Sequence, residues 1–152
     1  MQQLVMKIRI LCIGKLKSSY PISDLISFYQ KRIKIAVDII ELTSKEPRNE
    51  QDMIALFSSY KNEKCWALDQ RGKSWSEHDW AHRILQEKMQ GLKSLNIMVG
   101  GSAGIPYTLC KSSEESIALG PVTWNHLLIR PMILDMLYRC EKIWENHPYS
   151  RT

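Results

Sequence analysis

The chain has 152 residues, 44% of them hydrophobic and 24% charged, which is the size and balance of one globular domain spanning 1–152 and excludes a disordered chain. No apolar run is long enough to cross a bilayer, and the first apolar stretch is broken by Lys7 and Arg9 rather than preceded by basic residues, so the expectation is a cytoplasmic protein. The formal net charge of +5 favours a polyanionic partner without requiring one.

Taken in order, Lys7 to Ile13 alternates and is rich in β-formers, Ser23 to Ile33 carries apolar residues at helical spacing, and Ala36 to Leu42 is again strand-like. A second helix is predicted from Asn49 to Tyr60 behind Pro47, then a short buried strand, Cys65 to Leu68, ended by a turn at Gln70 to Lys73. Ser76 and Asp79 have the spacing of a capping box for a helix running to Gln90, where Gly91 stops it. Leu95 to Val99 is the fourth strand, Pro106 to Lys111 a short helix, and Ser116 to Leu119 a brief fifth strand. Gly120-Pro121 then turns the chain into a long helix ending near Asn146; Pro131 requires that helix either to start near Arg130 or to bend there. Strands alternating with helices predict an α/β fold, a mostly parallel sheet with helices on both faces. The four cysteines, Cys12, Cys65, Cys110 and Cys140, form no C-x-x-C pair and read as buried thiols.

Ligands of an open parallel sheet bind at the carboxyl ends of its strands, which here are Leu68-Asp69, Gly100 to Gly104 and Leu119 to Trp124. The glycine loop is neither a dinucleotide fingerprint nor a Walker loop, and its pattern fits a ligand loop and a plain tight turn equally. Lys73 fits a phosphate ligand or a surface lysine. His78 and His82 stand one helical turn apart, the spacing of a zinc protease, but two imidazoles lack a third ligand and Asp79 is short for the acid, so no metal is expected. Glu114 and Glu115 are adjacent, diverge in any regular structure, and read as solvated surface. In the last helix His126 and Arg130 are one turn apart near the pocket, and an apolar stripe ends at Trp144, with core packing and a subunit contact both open.

Leu68-Asp-x-x-Gly-Lys73, Val99-Gly-Gly-x-x-Gly104, His126-x-x-x-Arg130, Tyr138-Arg139 and His147-Pro-Tyr-Ser-Arg151 together resemble the RlmH-type ribosomal RNA pseudouridine methyltransferases of the SPOUT class, in order and over essentially the whole chain. The resemblance implies a deep trefoil knot at the carboxyl end and a homodimer. It implies S-adenosylmethionine held by backbone groups of Leu68, of Gly100, Gly101 and Gly104, and of the loop Leu119, Gly120, Pro121, Val122, Thr123 and Trp124. The acceptor it implies is N3 of a pseudouridine in ribosomal RNA within the assembled ribosome, with no membrane partner.

Methyl transfer from a sulfonium needs alignment and loss of the imide proton. On this reading Arg130 and Arg139 bind phosphate or stabilise the imide anion, His126 or Asp135 takes the proton, and Tyr149 of the tail completes the set. The chain departs from the family at Ser150, where histidine is usual, at Asp135 for glutamate, at Asn125 for proline, and at Pro131 for an aliphatic residue. Those departures leave two alternatives: a non-catalytic or altered-substrate RNA- or ribosome-binding member of the fold, and a small α/β enzyme using the glycine loop for a nucleotide phosphate.

Overall fold

A computed structural model describes residues 5–42 and 49–145. Among these, five strands, β1 (Lys7–Ile13), β2 (Ala36–Leu42), β3 (Cys65–Ser74), β4 (Ser94–Val99) and β5 (Glu115–Ala118), form one sheet in the order β2-β1-β4-β3-β5. Every pairing is parallel. The helices are α1 (Pro21–Gln30), α2 (Glu50–Leu56), α3 (Glu77–Met89), α4 (Tyr107–Ser112) and α5 (Ile129–Trp144).

Alternate strand residues feed two cores, as the two-residue period of a strand demands. Ile10, Cys12, Trp66, Leu68, Ile97 and Val99 face a larger cluster completed by Trp80 and Ile84 of α3 and by Ile133, Leu134 and Leu137 of α5. Leu11, Ile13, Ala67 and Met98 face a smaller one closed by Phe57, Ile105 and Cys110. Covering on both faces is why the buried stretches of the central strands, Ile10 to Ile13, Trp66 to Leu68 and Ile97 to Val99, are apolar without a break.

Local signals set most boundaries. Pro21 occupies the first turn of α1, where its fixed φ suits the helix and its missing N–H is no loss, so α1 begins ahead of the expected Ser23 and ends at Gln30. Asn49 Oδ1 accepts the Asp52 N–H to cap α2, which stops at Leu56; a 3₁₀ turn, Ser58–Tyr60, replaces the rest of the predicted helix. Ser76 and Asp79 close the expected capping box on α3. Pro131 lies in the first turn of α5, so of the two alternatives the helix starts beside Arg130 rather than bending. The Trp144 indole N–H donates to the Ala81 carbonyl at 2.8 Å, which ties the end of the stripe to α3. Pro47 and Asn146 lie outside the described residues.

The predicted turn at Gln70 to Lys73 is not a turn. β3 continues to Ser74, and its register against β5 slips so that Leu68 and Lys73 both pair with Ile117. Gly72 permits this: a Cβ there would lie 2.5 Å from the Ser116 carbonyl carbon, so only glycine lets the strand pass so close to its neighbour. β5 itself runs from Glu115, one residue ahead of the expected start.

Candidate active site

The carboxyl ends of β3, β4 and β5 converge on one cavity of about 720 Å³. Leu68 contributes from β3, Gly100, Gly101 and Gly104 from the turn after β4, and Leu119, Val122, Thr123 and Trp124 from the loop after β5. The three strand ends singled out in the sequence thus form one site. Gly120 and Pro121 lie in the same loop without lining the cavity; Gly120 has φ +84°, the left-handed conformation that turns the chain there.

The glycine loop is both a tight turn and a wall. A Cβ on Gly100 would sit 2.3 Å from the Gly104 carbonyl carbon, Gly104 has φ +78°, and its N–H donates to the Gly101 carbonyl at 2.9 Å. The loop folds onto itself, and at its three glycines no side chain stands between the main chain and the cavity. The opposite loop is similarly fixed: the Trp124 indole N–H donates to the Leu119 carbonyl at 2.6 Å, and Thr123 Oγ1 hydrogen-bonds Gln70 Oε1 of β3. Asn125 Oδ1 accepts the Leu127 N–H at 2.8 Å and directs the chain toward α5.

His126 lines the cavity. Burial, and then the positive charge of Arg130, hold its imidazole below the usual histidine range, so near neutral pH it is an uncharged base. Arg130 is placed differently from the sequence expectation. It is 1% exposed, does not line the cavity, and donates from Nη1 to Glu41 Oε2 at 2.8 Å and from Nη2 to the Gly14 carbonyl at 3.0 Å. The same Glu41 oxygen accepts the Leu16 N–H at 2.5 Å, so one ion pair ties the start of α5 to the ends of β1 and β2. Asp135 and Arg139 also stand away from the cavity wall. Asp135 accepts from Tyr29 Oη at 3.1 Å and from Arg139 Nε at 3.0 Å, and Arg139 Nη1 reaches Glu77 at 3.2 Å. Tyr149 lies outside the described residues, as does Ser150.

Two residues of the rim carry no sequence signal. Arg71 grips Asp69 with Nε at 2.7 Å and Nη2 at 2.9 Å, and this bonding holds the Asp69 carboxyl below the usual carboxylate range. Its guanidinium lies 5.0 Å from the ring centroid of Tyr107. Residues 71 and 107 belong to different elements, so no local spacing could have paired them.

The remaining constellations find structural partners. Glu115 is not solvated surface: its side chain is 11% exposed and bonds Arg83 at 2.7 Å and Lys73 at 3.3 Å. Burial pushes its carboxyl up, but the bonds to Arg83 and then Lys73 outweigh that and hold it below the usual range. Lys73 spends its charge on this pair, and Glu114 reaches Lys64 at 3.1 Å. The Asp79 carboxylate beside His78 and His82 is taken up by the cap of α3, and no metal-ligating group of three is present among the described residues. Burial raises the Cys12 and Cys110 thiols to about 11 and the Cys140 thiol to about 12, leaving them protonated.

A family model described as "Predicted SPOUT methyltransferase" matches residues 6–150. The chain belongs to the SPOUT methyltransferase family. It is 30% identical over 154 residues to the ribosomal RNA large subunit methyltransferase H of Phenylobacterium zucineum, covering 96% of this chain and 99% of that one. The protein of the same name from Desulforamulus reducens is 31% identical, with 97% and 100% covered. In structure this SPOUT chain resembles a "probable methylase family protein" of Haemophilus influenzae, with a TM-score of 0.61 at 13% identity over 93% of this chain and 69% of that one. A Legionella pneumophila methyltransferase-fold protein solved with the bound cofactor SAM gives a TM-score of 0.51 at 10% identity, covering 87% and 65%.

Proposed function

We propose that this SPOUT chain is an S-adenosylmethionine-dependent methyltransferase acting on N3 of a pseudouridine in large-subunit ribosomal RNA, in the cytoplasm and as a homodimer. The observation that carries this is the convergence of three strand-end loops, with His126, on one cavity, in a chain whose full-length relatives bear that enzyme's name. The threading of the carboxyl end into a trefoil knot, which the family resemblance implies, is part of the same proposal. No helix of the described residues is long and apolar enough to cross a membrane.

Bound S-adenosylmethionine would supply an electrophilic methyl on a positively charged sulfur. Carbonyls and N–H groups at Leu68, the glycine loop and Leu119 to Trp124 would suit its neutral adenosine. His126, at the wall and uncharged, is the group placed to take the imide proton as N3 becomes nucleophilic. Arg130, behind it, helps keep the imidazole neutral and locks the start of α5. Arg139 and Asp135 lie off the cavity of their own subunit, and in the proposed homodimer they serve the partner's cavity together with Tyr149. Exposed Leu25 and Phe28 on α1 and Leu128 before α5 supply apolar surface for that dimer.

The test is transfer of a labelled methyl group to ribosomes lacking the modification, with the product nucleoside resolved by mass spectrometry. Methylated N3 of a pseudouridine is the expected product; binding of S-adenosylmethionine without transfer would convert the chain to a non-catalytic member. Arg139→Ala is expected to lower the transfer rate at least about tenfold, and unimpaired transfer removes Arg139 from the chemistry.

A further inference from the structure

Tyr107 stands at the mouth of the cavity, 54% exposed, with two cations over its ring: the Arg71 guanidinium is 5.0 Å and the Lys111 ammonium 5.2 Å from its ring centroid. Pro106 precedes it and α4 begins with it, so its backbone is fixed while its ring stays in water. Arg71 is held from below by both oxygens of Asp69, leaving its side chain 53% exposed, and Lys111 is exposed one turn further along α4. Asp69 offsets one of the two positive charges, so the cluster as a whole is cationic.

A large, half-exposed ring beside a cavity, with two cations close to it, has the composition by which proteins hold single-stranded nucleic acid: bases stack on the aromatic and phosphates meet the cations. We propose that Tyr107, Arg71 and Lys111 form the RNA-holding platform of this site, the ring stacking on a base that neighbours the methylated nucleotide and the two cations contacting the flanking phosphates. The inference rests on the ribosomal RNA reading above and adds to it the surface that receives the strand. An unpaired loop nucleotide fits this platform, because a base within a duplex has no free face to offer.

Two readouts keep the platform separable from the enzyme reading. The first is methyl transfer to unmodified ribosomal particles across a salt series. Tyr107→Ala is expected to raise KM roughly tenfold or more, while Tyr107→Trp stays near the parent value. Arg71→Met and Lys111→Met should each reduce the slope of log KM against log salt by about one. The second is equilibrium binding of a hairpin RNA, measured without the methyl donor, beside calorimetry of S-adenosylmethionine. If the parent protein transfers no methyl but binds the hairpin in a Tyr107-dependent manner, the platform stands and the enzyme reading falls. Unchanged KM, salt slope and hairpin affinity in Tyr107→Ala and Lys111→Met overturn the platform, as does a loss of donor affinity that accounts for the whole rise in KM. A Tyr107-dependent pull-down of a ribosomal protein with no effect on hairpin binding also overturns it, by giving the surface to a protein partner.

Discussion

The cavity wall and the seam along α5 use opposite materials. At the wall, Gly100, Gly101 and Gly104 bring main chain bare of side chains to the cavity, and Gly100 lies so close to Gly104 that no Cβ fits between them. At the seam, Arg130, Asp135 and Arg139 are charged side chains, each engaged by a neighbouring element: Arg130 by Glu41 and Gly14, Asp135 by Tyr29, Arg139 by Glu77. The difference teaches that charged residues near a cavity in sequence need not line it in space. Charges in such a fold first hold the elements that carry the loops.

The contrast can be broken at either side. The largest effect is expected at Gly100→Ala: a Cβ 2.3 Å from the Gly104 carbonyl carbon forces the loop open, and calorimetry should show donor affinity falling at least about 100-fold. Retained affinity would mean that the wall tolerates a different loop and that its main-chain geometry does not define the site. Arg130→Met comes next. It strands Glu41 and the Gly14 carbonyl, and because Glu41 is about one-third exposed the loss should be about 3 kcal/mol rather than the full buried-pair figure. Thermal melts should show a drop of roughly 6–12 °C for a chain of this length.

A smaller effect probes a pair away from both regions. Glu115→Gln removes a carboxylate whose folded-state pKa lies below the ordinary 4.5, so its contribution, about 1 kcal/mol, is present above that value and is lost as pH falls through the folded pKa. Urea melts should separate variant and parent near neutral pH and bring them together in acid; a constant gap would remove ionisation from the account. Asp135→Asn is expected to cost least, about 0.5 kcal/mol, since both it and Arg139 are about one-third exposed. A tenfold loss of methyl transfer with an unchanged melt would sharpen the contrast by giving this part of the seam a chemical task.

The alternation of strands and helices was legible because each central strand buries both faces, and the period changes cleanly at Ser76 and at Asn49. The site was legible as three strand ends, since glycine clusters and strand termini are local features. The passage of β3 through Gln70 to Lys73 was not, because Gly72 looks like a turn residue until its neighbour across the sheet, Ser116, is in view. Glu115 was misread for the same reason: its partners Arg83 and Lys73 come from α3 and β3. Helical spacing from His126 points Arg130 at the pocket, yet the partner that decides its direction, Glu41, sits at the far end of β2. Arg71 and Tyr107 were invisible because a ring and a cation brought together only by folding leave no pattern in either segment.

The strand order β2-β1-β4-β3-β5 has a consequence for synthesis. β1 is made early, but one of its two neighbours, β4, emerges much later, and the helix that clamps the ends of β1 and β2 through Arg130 emerges later still. The nascent amino-terminal half therefore exposes an unpaired strand edge until β4, which ends at residue 99 of 152, has left the exit tunnel, which predicts late maturation and a need for shelter while translation is under way.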